Sequence, residues 1–151
     1  MIKYKKGDLI KAFQSGEVTA IGHQSNCFNT MGSGVALAVK NAFPEAYAAD
    51  CTTVKGDKSK LGSMSCCMTP KGPIFNLYGQ YRYGKDGDLY TDYEALSSAM
   101  ERMAFVLKMA EHDKPVGFPK IGCGTAGGNW EIVETLLDIH FSDFEVYIYE
   151  L

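Results

Sequence analysis

Two glycine-rich segments hold the residues of this 151-residue chain whose types and spacing are best suited to chemistry. One spans residues 119–130, the other spans residues 23–36, and each lies between a predicted strand and a predicted helix. Glycine lets a backbone approach a ligand closely and adopt a positive φ, and the amino terminus of a helix offers unpaired amides with a partial positive charge. Each segment is therefore suited to bind a phosphate group.

The presence of two such segments is stronger evidence for a ligand site than either segment alone. A single glycine-rich connection between a strand and a helix is equally well explained as a tight turn with structural glycines. Two of them in one small chain could hold a two-phosphate ligand from both sides. For the pair, we therefore favour a ligand site over a purely structural role.

Three other phosphate chemistries fit the sequence poorly. Gly122, Gly124 and Gly127 match the G-x-G-x-x-G fingerprint of dinucleotide-binding folds, but only one predicted helix and one predicted strand follow them. Such a fold needs a further βαβ half after its glycine loop. No G-x-x-x-x-G-K-S/T motif occurs, and neither Cys27 nor Cys123 is followed six residues later by an arginine. A nucleotide-binding P-loop and a phosphatase with a cysteine nucleophile are thus disfavoured.

Metal and disulfide chemistry are disfavoured too. His23, His112 and His140 are scattered along the chain, and no C-x-x-C pair is present. The five cysteines are odd in number, and the neighbours Cys66 and Cys67 would point to opposite faces of a strand. We expect reduced thiols, no structural metal and no cofactor.

Composition favours an ordinary globular protein. The chain is 46% hydrophobic, with a formal net charge of −3 and a pI near 5.6. Its length matches one domain, which we assign to residues 1–151. Without a basic field, we expect no sequence-specific nucleic-acid binding and no membrane surface binding. The first residues contain no long apolar run, which favours a cytoplasmic location.

Strand and helix patterns alternate along the chain, which predicts an α/β fold. Short apolar runs predict six strands, at Ile2 to Tyr4, Val18 to Gly22, Met64 to Met68, Ile74 to Tyr78, Val116 to Phe118 and Glu145 to Tyr149. Thr91 and Glu94 form a capping-box pattern at the start of one helix. A second, nearly all apolar and therefore expected to be buried, runs from Gly34 towards Pro44, and a third opens near Asn129.

Several segments, in this order, resemble the macrodomain family along nearly the whole chain. They are Gly7-Asp8-Leu9, the loop from Asn26 to Ala36, Phe43-Pro44, Phe75-Asn76-Leu77-Tyr78, and Pro119 to Trp130. The resemblance is to the branch that contains ADP-ribose-1''-phosphate phosphatases and terminal ADP-ribose glycohydrolases. It implies a three-layer α/β/α fold with a central mixed sheet, and a site for ADP-ribose.

The resemblance also implies roles for individual residues. Asp8 would accept a hydrogen bond from the adenine amine, Leu9 would offer its backbone amide to the ring, and Tyr149 would pack on the adenine. Asp8 could equally be a helix N-cap, and Tyr149 an ordinary strand residue. Backbone amides of both glycine-rich segments would hold the diphosphate, namely those of Gly32, Ser33, Gly34, Val35, Gly122, Cys123, Gly124, Thr125, Ala126, Gly127 and Gly128.

The chain departs from its relatives at catalytic positions. Ala36 and Ala126 stand where related hydrolases carry an aspartate. The terminal glycohydrolases also carry a lysine near the position of Gln80, and this chain has none there. His23, Asn26 and Gln80 remain as candidate catalytic residues. His23 would act as acid or base, and Asn26 and Gln80 would position the distal ribose. His23 could instead be a buried structural histidine, and Asn26 a turn residue that stabilises its own loop.

From these residues we expect an ADP-ribose-binding hydrolase that removes the 1''-phosphate from ADP-ribose-1''-phosphate. The alternatives are a non-catalytic module that binds ADP-ribose, and a hydrolase acting on ADP-ribosyl or O-acetyl-ADP-ribose substrates. The expected partners are ADP-ribose or a derivative, and ADP-ribosylated macromolecules.

Overall fold

A six-stranded mixed sheet forms the centre of the molecule in the computed structural model, which describes residues 1–151. The strands lie in the order β1-β6-β5-β2-β4-β3, and every neighbouring pair is parallel except β3 and β4. In chain order the elements are β1 (Ile2–Lys6), α1 (Leu9–Ser15), β2 (Ala20–Gln24), α2 (Gly34–Ala42), α3 (Pro44–Cys51), a 3-10 turn (Lys58–Lys60), β3 (Met64–Thr69), β4 (Gly72–Leu77), α4 (Tyr93–Met109), β5 (Val116–Phe118), α5 (Trp130–His140) and β6 (Val146–Glu150).

Two apolar clusters cover the two faces of the sheet. Successive strand residues point to opposite faces, so Phe75 packs with the cluster beneath α4 and α5, whereas its neighbour Ile74 packs with the cluster beneath α1, α2 and α3. Leu96 and Leu107 show how α4 buries one stripe of its surface against the first cluster. Helices therefore lie on both faces, and the expected three-layer α/β/α fold is confirmed.

The sheet order brings the two glycine-rich segments together. Strands β2 and β5 are parallel neighbours, and one segment leaves the carboxyl end of each. The chain continues from β2 into α2 on one face, and from β5 into α5 on the other face. Ligands of open α/β sheets bind in the crevice where connections diverge in this way.

The helices differ from the sequence expectations in three places. Asp92, not Thr91, is the N-cap of α4, because its carboxylate accepts from the Ala95 amide at 3.0 Å. A further helix, α3, was not predicted, since Pro44 begins it instead of only ending α2.

The third difference is the exposure of α2. The expectation that this helix is buried was wrong, because only Val39 is fully enclosed and Val35 and Leu37 are 38% and 37% exposed. The helix lies at the surface on α1 and α3, so only one stripe of it can be covered. None of the helices has the length and apolar character needed to cross a bilayer.

Candidate functional site

A cavity of about 700 Å³ lies at the carboxyl ends of the central strands. Its volume falls within the range of sites that enclose small molecules. Of the predicted site residues, those that line it are His23, Asn26, Gly32, Ser33, Gly34, Val35, Gln80, Gly122, Cys123, Gly124, Thr125, Ala126 and Tyr149. The structure places Asp8, Leu9, Gly127 and Gly128 outside this lining.

The first glycine-rich segment presents unpaired backbone amides to the cavity. The amides of residues 32–36 donate no hydrogen bond within the protein, and the N-cap Ser33 makes no side-chain capping bond. They include the first amides of α2, which carry the positive end of the helix dipole. This end of α2 is therefore chemically suited to an anion.

The second segment faces the first with its own free amides. Gly122, Gly124, Thr125 and Ala126 donate no backbone hydrogen bond within the protein, and all four line the cavity. Lys120 also lines it, but its ammonium group pairs with Glu150 at 3.2 Å. Lys85 borders the cavity as well and is exposed. The donors available to an anion are therefore the backbone amides together with this lysine.

Gly127 and Gly128 shape this segment from behind. The Gly128 amide donates to the Gly122 carbonyl at 2.8 Å, and a side chain at Gly128 would collide with that same oxygen. A Cβ atom at Gly127 would lie 2.7 Å from the Asp88 carbonyl oxygen, and its φ of 76° favours glycine. The structure gives both residues a packing role, and their contact with the diphosphate stays a prediction.

His23 lies at the floor of the cavity, at the end of β2, and is 1% exposed. Its Nε2 atom is 2.6 Å from Asn76 Oδ1, whereas Nδ1 has no hydrogen-bond partner in the protein. Burial lowers the pKa of His23 to about 4, although the hydrogen bond with Asn76 and the nearby Gln24 backbone oppose the shift. The imidazole of the free protein is therefore neutral at pH 7, which suits it to accept a proton rather than to donate one.

Asn26 and Gln80 are both engaged within the protein. Asn26 accepts from the Phe28 amide and donates to Thr30 Oγ1, each at 2.8 Å, and so stabilises its own loop. Gln80 accepts from Gln24 and donates to the Arg82 carbonyl, also at 2.8 Å. Each side chain has one N–H left for a ligand, and its role there stays a prediction.

Gln24 is a site residue that the sequence reasoning missed. Its Nε2 atom donates to Gln80 and to Thr91 Oγ1, and Thr91 donates in turn to the Gly122 carbonyl at 2.6 Å. Gln24 thereby joins β2 to the second glycine-rich segment. Its Oε1 atom is buried without a partner. The sequence did contain a signal for this role, because Gln24 is a polar residue next to His23 at the end of a predicted central strand.

A buried lysine, also missed, holds the segment after β2. Lys60 is 6% exposed and donates to the Cys27 carbonyl at 3.1 Å and to Asn29 Oδ1 at 2.6 Å. Asn29 has a φ of 56°, which its side-chain bonds help to hold. In the sequence, Lys60 looks like one charge among several in a surface turn.

At the expected adenine end, the structure shows the structural roles that the sequence also allowed. Asp8 is the N-cap of α1 and accepts from the Ile10 amide at 2.8 Å, and Leu9 is buried under the sheet. Tyr149 donates its hydroxyl to Glu17 while its ring borders the cavity. Burial and this hydrogen bond to Glu17 raise the pKa of Tyr149 well above its ordinary value.

Comparison with known proteins defines the class of protein to which this fold and site belong. The family model described as "Macro domain" matches residues 23–137. The chain therefore belongs to the macrodomain family, as the sequence resemblance indicated. No group of three or more His, Cys, Asp or Glu side chains is placed to hold a metal ion.

Similar proteins come from phages, fungi and bacteria. An uncharacterized 17.5 kDa protein of Enterobacteria phage T4 is 38% identical, over 98% of this chain and 95% of its own length. An ADP-ribose 1''-phosphate phosphatase of Debaryomyces hansenii is 28% identical over 99% and 98% of the two chains. A DNA ADP-ribosyl glycohydrolase of Mycobacterium bovis is 30% identical over 99% of this chain but only 42% of its own.

The fold has close counterparts among solved structures. The macrodomain of Mycobacterium tuberculosis DarG superimposes with a TM-score of 0.80 at 24% identity, over 100% of this chain and 98% of that one. At this identity the likeness supports the fold alone.

Proposed function

We propose that residues 1–151 form one macrodomain that binds ADP-ribose and hydrolyses ADP-ribose-1''-phosphate to ADP-ribose and phosphate. The observation that carries the proposal is the pair of facing rows of free backbone amides above a buried histidine. The similarity to an ADP-ribose 1''-phosphate phosphatase over nearly the full length of both chains supports it. Free cysteines throughout the chain support a cytoplasmic location.

The amide rows account for binding of a diphosphate. Amides fixed by a helix end and a glycine-rich loop stabilise negative charge without reorganising when the ligand arrives. The same donors can stabilise charge that develops on a phosphate as water attacks it.

His23 accounts for activation of water. Its neutral imidazole can accept a proton from a water molecule as the water oxygen bonds to phosphorus and the phosphorus–oxygen bond to the ribose breaks. The proton then passes to the departing ribose oxygen. The pKa of about 4 makes His23 a weak base in the free protein, and a bound anion raises that pKa by favouring the charged form.

A second function, binding without chemistry, is favoured by a specific observation. Asn26 and Gln80 are occupied by bonds within the protein, and Ala36 and Ala126 supply no carboxylate to the cavity. The one acidic side chain that lines the cavity, Glu150, pairs with Lys120, which disfavours cleavage of an ADP-ribosyl bond at this site.

Phosphate release from ADP-ribose-1''-phosphate, measured beside ADP-ribose affinity by calorimetry, tests the proposal. We expect turnover by the wild-type protein. His23→Gln can still donate an amide proton to Asn76 but offers no basic nitrogen, so it should lower kcat by about 10²–10⁴-fold with ADP-ribose affinity nearly unchanged. Wild-type binding without turnover would establish the binding module instead. Full activity of His23→Gln would assign the chemistry to other groups.

A further inference from the structure

Three polar residues form a row across three neighbouring strands beside the cavity. His23 of β2 is the register partner of Asn76 in β4, and Asn76 is the register partner of Ser65 in β3. Asn76 is fully buried, and its Nδ2 atom lies 3.0 Å from both Ser65 Oγ and the Ala46 carbonyl of α3. An amide that is enclosed and bonded on both sides cannot rotate without losing several hydrogen bonds.

The bonding pattern determines which atom of His23 carries the proton. The Ala46 carbonyl can only accept, so the Asn76 atom facing it is the donor Nδ2. Oδ1 of Asn76 therefore faces His23, and because this oxygen can only accept, His23 Nε2 must carry the proton.

The hydrogen bonds beyond Ser65 run in the same donor-to-acceptor direction. Tyr78 donates its hydroxyl to Asp50 Oδ1 at 2.6 Å, so its oxygen must accept from Ser65 across their 2.8 Å contact. Ser65 Oγ then accepts from Asn76. Every proton in the row points away from the cavity, from His23 towards Asp50.

We propose that Asn76 is a positioning residue that fixes His23 as the neutral Nε2–H tautomer and so reserves Nδ1 as the acceptor that serves the cavity. This inference rests on the proposed function for its catalytic consequence, but its structural part does not. An amide cannot pass a proton along as a hydroxyl can, so a proton taken up at Nδ1 leaves through the cavity and not through the row.

The test is two-bond ¹⁵N–¹H NMR of the imidazoles at pH 7, without ligand, which assigns the tautomer whether or not the protein is an enzyme. We expect one His23 Nε2–H proton, protected from solvent exchange, with His112 and His140 as references in the same spectrum. A proton on Nδ1, or on both nitrogens, would overturn the proposal.

Two variants of Asn76 and a matched control separate positioning from stability. Asn76→Leu should abolish the protection of the Nε2 proton and lower kcat by about 10²-fold with little change in KM. Asn76→Asp should keep the Nε2 proton, because a carboxylate also accepts from N–H. Ser65→Ala should keep it as well, since the Ala46 carbonyl still orients the amide.

The variants can also contradict the proposal. A folded Asn76→Leu protein with an undiminished, protected Nε2 proton would do so. If Asn76→Leu does not fold, Asn76→Asp provides the test instead. Loss of the protected His23 Nε2 proton in that variant would contradict the proposal. If the wild-type protein shows the expected tautomer but does not turn over ADP-ribose-1''-phosphate, the result counts against the proposed function alone.

Discussion

At the scale of single residues, burial decides what His23 can do. The ring has been removed from water and given one neutral partner, Asn76, so its charged form is disfavoured. Of the two interpretations left open by the sequence, the structure shows the buried, hydrogen-bonded histidine, and the catalytic role stays a proposal. One nitrogen is used by the fold and the other is left free.

Because the pKa of His23 is about 4 in the folded protein and near 6.5 when unfolded, the unfolded state binds more protons between these values. The stability that His23 contributes is therefore complete above pH 6.5 and is lost as pH falls through this window. We expect roughly 3 kcal/mol of loss between pH 7 and pH 4, measured by urea unfolding.

The matched control for this pH dependence is His23→Gln, which does not titrate. His112 and His140 remain in both proteins, so the difference between the two stability profiles isolates His23. Parallel profiles between pH 7 and pH 4 would show that His23 is not buried as a neutral ring.

At the scale of elements, the glycines of the second segment divide into two kinds. Gly124 lines the cavity with open space where a side chain would go, whereas Gly128 packs against the Gly122 carbonyl. A change at Gly124 should therefore affect binding alone, and a change at Gly128 should affect the loop itself.

Gly124→Asp should abolish ADP-ribose binding with little effect on thermal stability, since it adds a like charge beside the diphosphate. Gly128→Ala should lower the unfolding free energy by about 1–3 kcal/mol through overpacking. Calorimetry and thermal unfolding of the two variants measure this contrast. Retained affinity in Gly124→Asp would mean that this segment does not contact the ligand.

The sequence predicted the sheet and both glycine-rich segments because their signals are local. Short apolar runs mark β2 and β5, and glycines after each mark the connections. The roles of Gln24, Lys60 and Asn76 could not be predicted, because each depends on partners far away in the chain, such as His23 and Asn76, which are 53 residues apart. The exposure of α2 likewise depends on how neighbouring helices pack.

At the scale of the whole molecule, the order of strands creates the site. Five parallel strands, β1, β6, β5, β2 and β4, direct their carboxyl ends to one edge, where the segments after β2 and β5 meet. The cavity between them is closed at its floor by the buried His23 side chain.

That closed floor predicts selectivity among nucleotides. ADP-ribose should raise the thermal unfolding midpoint, by an amount equivalent to about 2.7 kcal/mol at a concentration of 100 Kd. NAD should stabilise the protein less at equal concentration, because its nicotinamide would need space beyond the distal ribose. Equal stabilisation by NAD would argue against enclosure of the distal ribose, and adenosine serves as a control without phosphates.

The one-way row of hydrogen bonds from His23 to Asp50 has a consequence for the electronic character of the site. Hydrogen bonds in series polarise one another, so each proton drawn towards the buried carboxylate leaves its own donor richer in electrons. At the end of the row, this raises the electron density on Nδ1 of His23, the imidazole nitrogen that carries the free lone pair. If His23 Nε2 carries the proton as proposed, Asp50, which does not line the cavity, adds to the basicity of the imidazole at the far end of the row.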